Sequence, residues 1–203
     1  KLIKLEGDTP KISSALNNVG VIYKVTGDYE EAIKYYTESL ELNQAVGHKQ
    51  GIAFNLGNLG MLYSDIQDYE NAEKFFKKAL LLFEEFNFKN QMAHAHIALG
   101  EIYLIQDQYE QAFESVRLAN KIYSETENKS GSAESYLILG EIYFKQQKYS
   151  SAESALNLGL SLAEETGYKE YIMDSYLYLS KLDSVKGNFE EALINYKKYT
   201  LLK

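Results

Sequence analysis

The sequence has no cysteine, no tryptophan, a single proline and only three histidines. Without cysteine there is no disulfide, no thiol nucleophile and no cysteine-ligated zinc. The compartment stays open, because exported and internal proteins alike can lack the residue. One proline in 203 residues leaves the chain almost free of helix breakers and points to long helices. A basic surplus is lacking too. Twenty-nine acidic residues against 21 basic ones give a net charge of −8 and a pI near 5.0. The pairs Lys77-Lys78 and Lys197-Lys198 stand among acidic neighbours. Direct nucleic-acid binding, which needs a basic patch, is therefore not expected. The longest aliphatic-rich run is "ALLLF" at Ala79–Phe83, far short of a membrane span, so no membrane insertion of this segment is expected.

What is plentiful is apolar and aromatic material. Hydrophobic residues make up 45% of the chain, and 18 residues are tyrosine. That suffices for a core and argues against disorder. The material is also periodic. Gly20, Gly60, Gly100 and Gly140 stand 40 residues apart, with Ser180 in the fifth place. Tyr23, Tyr63, Tyr103 and Tyr143 follow three positions later. Tyr29, Tyr69, Tyr109, Tyr149 and Phe189 form another register, and Ala32, Ala72, Ala112, Ala152 and Ala192 a further one. Such a period marks a repeat array.

Within a unit the spacing is helical. Leu16, Val19, Gly20 and Tyr23 fall at i, i+3, i+4 and i+7, one face of a helix, and Tyr29, Ala32, Ile33, Tyr36 and Leu40 continue the rhythm. Between them "TGDYEEA" (Thr26–Ala32) predicts a turn, with Asp28 as N-cap and Glu31 completing a capping box. Asn188 and Glu191 predict the same in the last unit, and Thr9-Pro10 predicts a helix start. The other break is expected near Gly47, Asn87, Glu127 and Gly167. Each unit thus reads as helix A, turn, helix B, turn. Mid-helix glycine costs roughly 1 kcal/mol against alanine. The recurring glycines and alanines are expected to let the two helices cross closely, and the contact outweighs the propensity loss.

These registers resemble the tetratricopeptide repeat. The likeness rests on "NNVGVIYKVTGDYEEAIKYYTESL" (Asn17–Leu40) and its later copies, and covers the whole chain. Two departures stand out. Leu16, Leu56, His96, Tyr136 and Tyr176 hold the usual tryptophan place, and the unit-ending proline is missing. The 40-residue period is similar to that of kinesin light chains and bacterial peptide-sensing regulators. The resemblance implies an all-α fold, a right-handed α-α superhelix, or solenoid, of about five helix-turn-helix units. The expected repeats are 13–52, 53–92, 93–132, 133–172 and 173–203 of one solenoid domain, with 1–8 the tail of a preceding repeat. It also implies a non-catalytic module that binds a protein or peptide on the concave side, lined by helix A.

On that side runs a stripe one residue beyond the packing face. The candidate partner-binding residues are Asn17, Asn18, Val21, Lys24, Asn58, Met61, Ile97, Glu101, Leu104, Leu137, Glu141, Phe144 and Lys181. Asparagine carries donor and acceptor, so Asn18 and Asn58 suit the backbone of a bound peptide. Two readings stay open for Met61, Ile97, Leu104, Leu137 and Phe144: an apolar trough for guest side chains, or packing against the next repeat. For the asparagines the second reading is an ordinary polar helix surface. Lys24, Lys145 and Lys181 are too scattered among acids to read as a carboxylate clamp.

No chemistry of catalysis emerges. His94 and His96 are two apart and point to nearly opposite sides of a helix, whereas a helical zinc pair needs i and i+4. His96 is expected in the packing slot and His94 on the rim. The acidic pairs, such as Glu164-Glu165, diverge around their helices. No phosphate-cradling loop or nucleophile elbow is present. No metal, cofactor or catalytic residue is expected.

The ends add two expectations. "KLIKLEG" (Lys1–Gly7) aligns with the tail of a helix B, as in a piece of a longer protein. The closing "KLDSVKGNFEEALINYKKYTLLK" is similar to the last repeat in Bacteroidetes-type signalling proteins, where a membrane helix and an output domain follow. A sensory or regulatory arm of such a protein is one expectation. A structural scaffold, or a homo-oligomer joined through the C-terminal helix, is the alternative.

Overall fold

The computed structural model describes residues 9–203 and contains ten α-helices. They are α1 (Thr9–Thr26), α2 (Tyr29–Ala45), α3 (Lys49–Asp65), α4 (Tyr69–Glu85), α5 (Lys89–Ile105), α6 (Tyr109–Glu125), α7 (Lys129–Lys145), α8 (Tyr149–Thr166), α9 (Lys169–Lys186) and α10 (Phe189–Leu202). Among the described residues there is no strand, and the helices follow one another as tandem helix-turn-helix pairs. The expected all-α, solenoid-class fold is what forms. The reading of Lys1–Gly7 as the tail of a helix lies outside the described residues.

Turn chemistry explains the even spacing. A left-handed residue recurs every 20 positions: Gly27, Gly47, Gln67, Asn87, Asp107, Glu127, Gln147, Gly167 and Gly187 all have positive φ. At the first turn the N–H of Gly27 donates to Lys24 O at 3.1 Å and that of Asp28 to Tyr23 O at 2.9 Å. This is the Schellman pattern, which satisfies the last carbonyls of one helix while the next begins. The capping box forms only in part. Asp28 accepts from the N–H of Glu31 at 3.4 Å, but its own N–H is spent on Tyr23, so Glu31 pairs with Lys34 at 2.9 Å instead. Asn188 stands at the N-cap of α10 without a side-chain capping bond.

The glycine register is a set of sockets. A Cβ on Gly20 would lie 2.7 Å from the Tyr36 ring, on Gly60 2.9 Å from Phe76, on Gly100 2.4 Å from Val116 and on Gly140 2.6 Å from Leu156. What fills each socket is the side chain 16 residues later on helix B, rather than the opposing backbone. The alanine register beside it, Ala32, Ala72, Ala112 and Ala152, has no exposed surface at all. In the fifth pair Ser180 replaces glycine. Its hydroxyl donates to Ala192 O at 2.8 Å, and Tyr196, at the socket-filling position, is 48% exposed.

The chain divides into two compact units, one ending at Ala98 and the other beginning at Leu99, within α5. In the first, Ala32, Tyr36, Leu59 and Leu62 form a core flanked by Ile33, Leu40 and Phe75, and Ala53, Leu56, Ala79 and Phe83 form the next layer. In the second, Leu137, Ala152, Leu156, Leu179 and Leu182 make the corresponding core. The first layer joins α2 to α3, the next α3 to α4, and the core of the second unit α7, α8 and α9.

Candidate functional site

In the first unit the stripe on α1 and α3 is polar and ordered by its own bonds. Asn17 Oδ1 accepts from Asn58 Nδ2 at 2.8 Å and from Asn55 Nδ2 at 3.1 Å. Both acceptor sites of that oxygen are engaged, which fixes the orientation of the amide. The N–H groups of Asn17 are left outside this pairing. Asn58 has spent its nitrogen on Asn17 and keeps its oxygen available. Successive repeats therefore hold one amide donor and one amide acceptor side by side, the pair that a peptide group matches. Asn18 is exposed next to them, as are Val21 and Met61, the last at 47%. Lys24 is tied to Asp65 at 3.1 Å.

Behind Asn17 lies a buried polar network that the sequence reading did not single out. Ser39 Oγ stands 2.7 Å from Ser13 O as donor and accepts from Asn55 Nδ2 at 2.9 Å. Asn43 Nδ2 donates to Asn55 Oδ1 at 2.7 Å. Asn43 Oδ1 must then be the acceptor of its 3.1 Å contact with His48 Nδ1, so that ring nitrogen carries the hydrogen. A cavity of about 290 Å³ opens onto this network between α1, α2 and the start of α3. Gly51 makes room for it: a Cβ there would stand 2.5 Å from Asn43 Nδ2. The signal was present in the repeat register. Ser13 aligns with Ala53, Ala93 and Ala133; Ser39 with Ala79, Ala119 and Gly159; Asn43 with Phe83, Tyr123 and Ala163.

Four apolar members of the candidate stripe go inward or sideways. Ile97, Leu104 and Leu137 are buried, and Phe144 packs against the core that contains Leu137. Packing between helices accounts for their hydrophobicity. They offer little open surface.

The second unit presents acid and tyrosine instead. Glu101 is open to water at its surface, yet the protein bulk around it pushes its carboxyl up to about 7, with Glu134 and Glu141 adding to the rise. Burial likewise raises Tyr171, which bonds to Glu134, and Tyr178, which bonds to Glu141. Lys181 Nζ lies 4.3 Å from the centre of the Tyr178 ring, a cation–π contact. Asp174 is raised by burial, then by Glu170 and Glu141. This clustering disfavours anions.

His96 is half-buried, and that burial lowers its pKa against an opposing effect of Glu84; His94 is exposed. Among the described residues no group of three or more histidine, aspartate or glutamate side chains could hold a metal ion, and no helix is long and apolar enough to cross a membrane.

Tandem helix pairs packed through glycine sockets define a helical repeat protein. The chain belongs to the tetratricopeptide repeat family, whose model matches residues 11–85, 51–125 and 91–165. That fold is generally a non-catalytic scaffold that binds protein partners. No curated protein matches the sequence. Solved structures with the same fold include BtubC (BKLC) from P. vanneervenii, with a TM-score of 0.83 at 16% identity over 96% of this chain and 80% of that one. The apo form of RapI gives 0.81 at 18% identity, covering 92% of this chain and 52% of RapI, so this chain spans about half of that protein. The nearly identical TPR-like repeats of a Podosopora anserina putative kinesin light chain give 0.77 at 13% identity, covering 96% and 95%. At these identities the likeness is one of fold.

Proposed function

We propose that this chain is a non-catalytic peptide-binding module, the sensory or regulatory arm of a larger signal-transduction protein, and that the amide stripe of its first unit takes the backbone of an extended peptide. The observation that carries this reading is the double engagement of Asn17 Oδ1 by Asn55 and Asn58. It turns an ordinary surface asparagine into an oriented donor beside an oriented acceptor, prepared before any guest arrives. Val21 and Met61 supply exposed apolar surface for guest side chains. The signalling assignment is supported by the closing segment, Lys181–Lys203, and its resemblance to the last repeat of such arrays. Selection from a displayed random-peptide library tests the binding reading. Enrichment on the unaltered chain, and its loss on Asn17→Asp, is the expected result.

A second reading is favoured by α10. Phe189, Leu193 and Tyr196 are 72%, 54% and 48% exposed on one face. At the matching positions of α2, Ile33 and Tyr36 pack with Leu59 and Leu62 of α3. The α10 face is therefore of the kind that receives another helix. Glu190 and Lys197 lie along the same edge of that face. An antiparallel copy of α10 would set each Glu190 opposite a Lys197, giving a symmetric pair.

A further inference from the structure

We propose that the cavity between α1, α2 and the start of α3 is a binding site for a primary carboxamide, the end group of a glutamine or asparagine. The chain supplies its own control. At later junctions the positions of Ser13, Ser39 and Asn43 carry alanine, glycine, phenylalanine or tyrosine, and Ala53, Ala79, Phe83, Ala119, Tyr123, Ala133 and Ala163 are all buried. The fold is thus built at those three positions largely without hydrogen-bonding side chains, Tyr123 being the exception, although the register of Asn55 keeps the buried serines Ser135 and Ser175. Exchanging a buried hydrogen-bonded pair for apolar groups of similar shape is close to neutral for stability. Stability does not account for the polar set at the first junction, whereas recognition does.

The lining selects the ligand class. Among the described residues His48 is the one titratable side chain that lines the cavity, so a charged guest would lose its hydration with no other countercharge from them. An apolar guest would cover the N–H groups of Asn17 and leave them unbonded. A carboxamide meets both conditions. Its oxygen accepts from Asn17 Nδ2, and its NH2 donates to the side-chain oxygens of Asn18 or Gln50 at the mouth. Phe54, also on the lining, gives the methylenes a flat apolar surface. At about 290 Å³ the space lies at the small end of ligand sites, with room for a side chain and part of its backbone.

The group could belong to a peptide or to a free amino acid. In the first case the inference deepens the peptide-binding reading by naming a side chain it selects. Small probes separate the two questions, so this site can fail while peptide binding stands. The full chain is titrated by NMR with the N-methylamides of N-acetyl-glutamine, N-acetyl-glutamate and N-acetyl-leucine, which carry no primary carboxamide at the blocked C-terminus, and with free L-glutamine. Saturable shifts at Asn17, Asn43 and Gly51 are expected with a glutamine probe, at roughly tenfold or better preference over the leucine probe, whose backbone amides are the same. Binding of the blocked glutamine assigns the group to a peptide; binding of free glutamine alone assigns it to an amino acid. Asn17→Asp should remove the shifts, and Ser13→Ala with Ser39→Ala, which imports the alanines of later repeats, should weaken them at least about fivefold. Absence of saturation with both glutamine probes, or equal binding of the leucine probe, overturns the proposal. So does full binding by a folded Asn17→Asp.

Discussion

The Tyr36 ring rests directly on the backbone of Gly20, where an added methyl carbon would stand 2.7 Å from two ring carbons. The same relation joins Phe76 to Gly60. Alanine at either glycine gains about 1 kcal/mol of helix propensity and incurs overpacking of about 1–3 kcal/mol. Gly60→Ala is expected to lower stability by about 1 kcal/mol in urea unfolding. Phe76→Leu in the same chain should recover part of the loss, because it shortens the side chain that fills the socket. An unchanged or raised midpoint in Gly60→Ala would contradict the socket.

The left-handed turns make the opposite prediction. Gln147 sits at φ 59°, where a side chain costs about 1–2 kcal/mol that glycine avoids. Gln147→Gly also frees the unfolded chain, so the net gain is smaller, roughly 0.5–1 kcal/mol. A higher thermal midpoint is the expected outcome, and a lower one would show that Gln147 makes a compensating contact.

Glu101 gives the second unit a pH dependence. Its folded pKa of about 7 stands above the reference value of 4.5. The folded state therefore holds the proton more tightly between those values, and stability falls as pH rises through them. The destabilisation is complete above pH 7 and absent below about 4.5. Because the carboxylate is still open to water, the effect is at most about 1 kcal/mol. Glu101→Gln should raise the midpoint at pH 8 and leave it nearly unchanged at pH 4. Equal effects at both pH values would remove the carboxylate's charge as the cause.

The α10 face is tested by sedimentation. An antiparallel pair predicts that Leu193→Glu shifts the chain toward monomer. Glu190→Lys alone should weaken association by setting lysine against Lys197. Adding Lys197→Glu should restore it, because both pairs are reversed together. A chain that remains monomeric at high concentration would end this reading.

Much of the fold was legible because its registers are dictated by backbone geometry. The socket glycines admit no side chain, and Gly27, Gly47, Gly167 and Gly187 mark left-handed turns, so both leave a periodic trace. The site was less legible. Ile97 and Leu137 lie on the stripe that Met61 shares, yet they are buried while Met61 is exposed. Helical periodicity assigns a face, and what covers that face depends on neighbouring helices. The network of Ser13, Ser39, Asn43 and Asn55 joins three helices, and no single-helix pattern reveals it. Only the contrast between equivalent positions of successive repeats would have pointed there.

The most direct test of the central claim is the affinity of a library-selected peptide, measured by fluorescence anisotropy, for the unaltered chain and for Asn17→Asp. The aspartate keeps an acceptor for Asn55 and Asn58, removes the Nδ2 donor and adds a negative charge. A loss of about tenfold or more, near 1.4 kcal/mol, is predicted for the variant. Equal affinity for both proteins would contradict the account.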